Sequence, residues 1–273
     1  MDELELLVDQ VRQSRKYSSI CSAVVRRIAA RELAAHPARK EALKATRGRL
    51  HQAGGAFLSQ QPDYVGWLGL LSAAQGSAEP LRVACRTILA NQSSTRERLP
   101  ILDTFYRTVL AEIDPPHTIL DVACGLGPLA IPWMALPADA VYYACDMYAD
   151  LVGFLNRAFP LLGARGQAWA GDVAGKWVLA ADDAPDLSSP VDLALVLKAI
   201  PCLEQADRSA GQRLLDGLPA RNVLVSFPLR SLGGAQKGMR RTYEARMDSL
   251  VKGRPWQVRR FEFPSELAFL VTR

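Results

Sequence analysis

The sequence predicts an α/β domain built on a parallel sheet and preceded by an all-helical segment, and three observations carry that expectation. Up to about residue 110 apolar residues recur at three and four spacing; after "DPPH" the rhythm changes to short apolar runs alternating with helical stretches; and the last two runs lie only two or three residues apart. These changes divide the chain into a helical domain over 1–106 and a sheet domain over 107–273.

The helical half begins with Leu4, Leu7, Val8 and Val11, then Val24, Val25, Ile28, Ala29 and Leu33, with Ser18 or Ser22 placed to cap the second helix. Paired glycines, a serine and a proline in "QAGGAFLSQQPDY" interrupt the pattern. A helix follows in "EPLRVACRTILA", and another in "SSTRERLPILDTFYRTVLAEI", capped by Ser94 or Thr95 with Glu97 or Arg98 in its first turn. The strands are then "TILDVAC", "AVYYACD", "GQAWAGD", "VDLALVLKAIP" and "NVLVSFP", with helical segments such as "LVGFLNRAFPLLG" and "EQADRSAGQRLLDGL" between them. Near-continuous apolar strands imply a parallel sheet covered on both faces. "WQVRRFEFP" and "ELAFLVTR" are too close for a crossover and form an antiparallel hairpin at the sheet edge. Five parallel strands closed by such a pair form the Rossmann-like, seven-stranded architecture of class I methyltransferases that use S-adenosylmethionine (SAM).

With 273 residues, 49% of them hydrophobic, the chain can fill a real core. The opening "MDELELLV" is acidic where a signal peptide is basic, and no apolar stretch approaches the roughly 20 residues that span a bilayer. A cytoplasmic protein without membrane attachment is expected. Five cysteines (Cys21, Cys85, Cys124, Cys145, Cys202) contain no CxxC pair, and the three histidines stand far apart, which argues against a disulfide framework or a structural metal. Net charge is +5, unevenly spread: Arg12 to Arg49 holds eleven Lys or Arg against Glu32 and Glu41, whereas 120–220 is mixed or acidic. Such a face is either simply solvated or a footprint for a phosphate backbone, which it grips without reading sequence.

In an open α/β sheet the ligand lies outside the carboxyl ends of the strands, so the residues ending each strand are the informative ones. Strand one ends in Asp121, Ala123, Cys124 and Gly125, strand two in Asp146, strand three in Asp172 and strand four in Lys198. Gly125, Gly127 and Ala130 also satisfy the dinucleotide pattern GxGxxA, with Asp146 at the spacing of its ribose-binding acid, so a NAD reading stands beside the SAM reading. Two details favour SAM. "LDVACGLG" is close to the methyltransferase form hhDhGCGxG, and Asp172 adds an acceptor suited to an adenine amino group, whereas a pyrophosphate disfavours a ring of acids. Lys198 ends an apolar run and must reach a cleft or snorkel to water. Pro201 and Cys202 raise the alternative of a cysteine nucleophile, as in cytosine-C5 methyltransferases; the plainer reading is a buried cysteine at a helix start.

These residues resemble those of the aminoglycoside-resistance methyltransferases (Arm family), which methylate N7 of guanine 1405 in 16S ribosomal RNA. The resemblance covers nearly the whole chain, through "SRKYSSICSAVVRRIA", "LHQAGGAFL", "SSTRERLPILDTFY", "LDVACGLGPLA", "LALVLKAIPCLE", "VSFPLRSLGGAQKGM" and "ELAFLV", and looks closest to the actinomycete members. It implies SAM as cofactor, 16S rRNA of the assembled 30S subunit as partner, no metal, and action as a monomer. It also implies that Phe57 and Arg98 reach the cofactor from the helical domain, Arg98 pairing with its methionine carboxylate, and that Gln92, Ser93 and Ser94 stand beside them. Ala123 and Gly125 would pass along the cofactor by backbone, Asp146 would take the ribose, Asp172 with Val173 the adenine, and Leu197 with Lys198 would line the transfer pocket. Two positions depart from the pattern: Gly127 replaces the family's asparagine in "CGLNPLA", and Gln92 stands where a histidine is common.

The chemistry needs few groups, because guanine N7 carries a lone pair and no proton; alignment supplies most of the acceleration. The target base must be turned out of its stack. For RNA contact the candidates are Arg12, Arg15, Lys16, Arg26, Arg27, Arg47 and Arg49 on the basic helices, and Arg230, Lys237, Arg240 and Arg241 on the loop "RSLGGAQKGMRR". A catalytically silent ribosome-binding protein is the rival from another class.

Overall fold

The computed structural model describes residues 2–54, 62–175, 184–187, 189–229 and 238–273. Three helices come first: α1 (Glu3–Arg12), α2 (Ser22–Ala35) and α3 (Arg39–Gly54). Their apolar stripes close on one another through Leu7, Val11, Val25, Ile28 and Leu50, a core distinct from that of the sheet and touching it through Met147 and Tyr148. The caps differ from expectation. Ser22 is the first residue of α2 and exposed, the cap position belongs to Cys21, and no side chain caps the helix.

Next come α4 (Tyr64–Ala74), α5 (Ala78–Leu89), a single turn α6 (Ser93–Arg96), a 3-10 turn over Leu99–Ile101, and α7 (Leu102–Leu110). The single helix expected over 93–113 is thus in three pieces, because Pro100 lacks an amide hydrogen and its ring obstructs the preceding turn. Thr95 does not cap: its hydroxyl donates back to the carbonyls of Leu89 and Gln92.

The sheet contains β1 (Thr118–Val122), β2 (Val141–Asp146), β3 (Arg165–Ala170), β4 (Val191–Leu197), β5 (Ala220–Pro228), β6 (Gln257–Glu262) and β7 (Glu266–Thr272). Its order is β3-β2-β1-β4-β5-β7-β6, with β7 antiparallel to both neighbours; the five parallel strands and the terminal antiparallel hairpin are those the run pattern predicts. Between strands lie α8 (Ala149–Leu161), α9 (Ile200–Ala206), α10 (Ala210–Gly217) and α11 (Met239–Val251). "EQADRSAGQRLLDGL" is split into α9 and α10 at Asp207, whose carboxylate accepts from the Ser209 amide.

Alternation sorts the strands between two layers. Ile119 packs toward α4, α5, α7 and α8, while Leu120 and Val122 pack toward α9, α10 and α11. The 106/107 boundary read from the sequence falls inside α7, and α4 to α7 share one core with the sheet. Among the described residues no helix is long and apolar enough to cross a membrane.

Candidate active site

The chain reverses direction across the sheet between β1 and β4, and a cleft of about 1120 Å³, open mouth included, lies at the carboxyl ends of these strands. Two non-glycine residues on its wall have left-handed backbones, Ala123 at φ 54° and Lys198 at φ 58°. Each costs about 1–3 kcal/mol and persists only where the surroundings enforce it. At Lys198 that enforcement is visible, since its amide donates to both the carbonyl and the hydroxyl of Ser226 on β5.

Asp146 and Asp172, following β2 and β3, both line the cleft. Asp146 is buried, accepting from the Gly125 amide at 2.9 Å and the Tyr148 amide at 3.3 Å. Burial pushes its carboxyl up, and the amides pull it partly back. Asp172 accepts from the Ala174 amide at 3.2 Å and from the guanidinium of Arg27 on α2. Asp121 stands apart: it is 2% exposed, does not line the cleft, and accepts from the Tyr142 hydroxyl at 2.8 Å. Burial raises its carboxyl to about 7, against the opposing pull of Tyr142 and Arg98.

The glycines of "CGLG" make room for the protein's own side chains. Gly125 has φ 51°, and a Cβ there would run into Gln92, whose Oε1 accepts from the Leu126 amide at 2.6 Å. Gln92 therefore clamps the loop from the helical side. A Cβ at Gly127 would fall 2.7 Å from Asp121 Oδ2, so the family's asparagine could enter only if that carboxyl moved. The loop continues into a 3-10 helix over Gly127–Trp133 containing Pro128 and Pro132. The α-helix that opens a dinucleotide-binding unit is absent there, which removes support from the NAD reading.

Behind the cleft wall lies a buried charge network. Lys198 Nζ donates to the Ser94 carbonyl at 3.1 Å and Glu97 at 2.9 Å, and stands 3.4 Å from Glu266 on β7. Arg98, expected at the methionine carboxylate, is 3% exposed, does not line the cleft, and donates through Nε and Nη2 to Glu266 at 2.6–3.2 Å. Burial penalises the Glu266 carboxylate, but Arg98 and Lys198 outweigh that and hold it below the ordinary range.

Of the other predicted cofactor residues, Gln92, Ser94, Ala123, Gly125, Val173 and Leu197 line the cleft and Ser93 does not. Phe57, Arg230 and Lys237 lie outside the described residues. The basic residues divide by partner. Arg12, Arg15 and Lys16 are exposed around the end of α1; Arg26 pairs with Glu5, Arg49 with the buried Glu32, and Arg47 donates to the Gln10 carbonyl. Arg240 and Arg241 are exposed on the first turn of α11, where Arg240 pairs with Glu262. Arg27 stands apart from these cations, because it lines the cleft and its guanidinium pairs with Asp172. Cys202 also lines the cleft, but burial raises its thiol to about 11 and Sγ lies 3.6 Å from the Lys198 carbonyl, which disfavours a nucleophilic thiolate.

Sequence reasoning missed Val24, Ile28, Tyr64, Met147 and Tyr148, all on the cleft wall. Only α2 offered a signal, since Val24, Arg27 and Ile28 share one helical face.

Comparison with known proteins agrees with this arrangement. The sequence profile described as ribosomal RNA methyltransferase (FmrO) matches residues 13–270. A 16S rRNA (guanine(1405)-N(7))-methyltransferase of Frankia casuarinae is 38% identical, with 98% of this chain and 95% of that protein covered. The enzyme of the same description from Micromonospora echinospora is 35% identical, covering 100% of this chain and 97% of its own length. Among solved structures, the 16S rRNA methyltransferase RmtF in complex with S-adenosyl-L-homocysteine superposes with a TM-score of 0.81 at 29% identity, covering 100% of this chain and 99% of that one. With its strand-end acids, its methyltransferase sheet and a family profile matched over nearly its full length, this chain belongs to the FmrO family of ribosomal RNA methyltransferases.

Proposed function

We propose that this protein transfers a methyl group from SAM to N7 of guanine 1405 in 16S rRNA of the assembled 30S subunit, and thereby confers aminoglycoside resistance. The observation that carries the reading is the convergence of Asp146 and Asp172 on one cleft with the left-handed backbones of Ala123 and Gly125. These residues fit the cofactor. They offer acceptors to hydroxyl and amino groups, and Asp146, though it takes two amides, retains lone pairs for a ribose diol. Asp172 and Val173 would hold the adenine, with Gln92, Ser94, Leu197 and Lys198 bordering the rest.

When bound, SAM supplies a methyl group on a positively charged sulfur. The residues of this chain have to orient the two reactants in line and exclude water, because guanine N7 has no proton to lose. Arg98 already gives Nε and Nη2 to Glu266, so Nη1 is the edge it would offer the cofactor carboxylate. Arg12, Arg15 and Lys16 would add phosphate contacts, and the protein would act as a cytoplasmic monomer. The close sequence relatives and the SAH-bound structural neighbour support this reading over a silent ribosome-binding protein.

The test is to incubate the purified protein with 30S subunits and SAM, cleave chemically at 7-methylguanine, and map the break by primer extension. A new stop at guanine 1405, absent without SAM, is the expected result. Modification of a different nucleotide, or none with well-folded protein, would overturn the assignment.

A further inference from the structure

Helix α2 carries two adjacent arginines with opposite roles. Arg26 is exposed and pairs with Glu5 of α1 inside the helical bundle. Arg27 turns to the cleft, its Nε donating to Asp172 Oδ2 at 2.5 Å and its Nη2 to Oδ1 at 3.0 Å. This two-point fork joins residues 145 positions apart, and Val24 and Ile28 on the same helical face line the cleft beside it. A second attachment lies nearby. The Cys21 amide donates to the Met147 carbonyl at 2.8 Å and the Ala149 amide to the Ser19 carbonyl at 2.7 Å, with Ile20 bridged to Tyr148. The bundle is thus sewn by backbone to the loop after Asp146, packs its core against Met147 and Tyr148 of that loop, and is forked by side chain onto Asp172.

We propose that Arg27 is a positioning residue of the cofactor site, delivered by the basic bundle, and that it fixes the Asp172 carboxylate for the adenine end of SAM. This inference rests on the proposed function. The Ala174 amide holds Asp172 Oδ1 from below at 3.2 Å, and the planar guanidinium holds both oxygens from the side, so the carboxylate plane is set before cofactor arrives. A lysine cannot reproduce a fork, because its ammonium is a point charge. Since the guanidinium comes from the bundle, any displacement of that bundle is felt where the adenine binds. Arg27 is therefore no phosphate contact.

The experiment compares wild type, Arg27→Ala, Arg27→Lys, Asp172→Asn and the Arg27→Ala/Asp172→Asn double variant. It measures SAH affinity by titration calorimetry, and 30S affinity as a function of salt. Circular dichroism monitors folding. Arg27→Ala should weaken SAH binding about tenfold or more, Arg27→Lys should recover only part of that, and the double variant should lose much less than the sum of the two single losses. The slope of log affinity for 30S against log salt should be unchanged in Arg27→Ala. SAH affinity within about twofold of wild type in folded Arg27→Ala, or a salt slope reduced by about one as for a lost phosphate contact, would overturn the proposal. If the wild-type protein itself bound no SAH, the failure would lie in the proposed function instead.

Discussion

The two groups of N-terminal helices are joined to the sheet in opposite ways. Helices α4 to α7 share its core, through residues such as Leu71, Ile88 and Phe105, and the segment between α6 and α7 is tied to β7 by the buried Arg98–Glu266 pair and to Lys198, after β4, by the partly exposed Glu97. Helices α1 to α3 close a core of their own, against which Met147 and Tyr148 after β2 pack, and also meet the sheet domain through a short backbone seam and one fork, whose side chains retain 31% and 11% exposure. Order along the chain would class both groups as one docking domain. Their packing puts the second group in the sheet's own core and leaves the first with a core of its own, joined to the sheet domain through Met147 and Tyr148.

That contrast can be broken most forcefully at Glu266, whose side chain is fully buried between Arg98 and Lys198. Glu266→Ala leaves two buried cations without their shared counter-charge, a loss of about 3–5 kcal/mol. A guanidinium-chloride melt should show the midpoint falling sharply; a shift of a few tenths of a kcal/mol would mean that water already reaches the network.

Asp121 sharpens the comparison through pH. Its folded value of about 7 lies above the ordinary 3.8, so between those values the native protein holds a proton that the unfolded chain has released. Stability from this group therefore falls as pH rises from about 4 to 7 and levels off above that. Asp121→Asn keeps an acceptor for Tyr142 and never ionises, so it should gain on the order of 2 kcal/mol over wild type at pH 8. At pH 4 the gain should vanish. Thermal melts across this range decide the matter, and parallel curves for the two proteins would rule it out.

The smallest effect belongs to the bundle's surface. Arg26 and Glu5 are 49% and 34% exposed, so Arg26→Ala should cost less than about 1 kcal/mol, and less still in high salt. A loss approaching that of Glu266→Ala would show that this pair is not screened by solvent.

What was legible in the sequence follows from range. The strands and their parallel or antiparallel sense rest on apolar runs and on crossover lengths, and the acids at 146 and 172 could be read because strand ends must face a ligand in this architecture. The pairing of Arg27 with Asp172 spans too much chain to leave a local trace, and Arg27 looks like its basic neighbours. Arg98 shows the same limit: its charge was evident, its partner on β7 was not. The left-handed backbones of Ala123 and Lys198 carry no glycine to mark them, because tertiary contacts impose the conformation. The family resemblance sets Gly125 along the cofactor, whereas a Cβ there would meet Gln92 and one at Gly127 would meet Asp121. Pro100, by contrast, announced a break that helical periodicity alone passed over.

Glu266 sits on β7, which follows every other strand in the chain yet inserts between β5 and β6. During synthesis the nascent protein must hold a place in the sheet for a segment not yet made, and until it arrives Arg98 and Lys198 lack that carboxylate. The charge network behind the active-site wall is thus completed only once residue 266 has been made and β7 has entered the sheet.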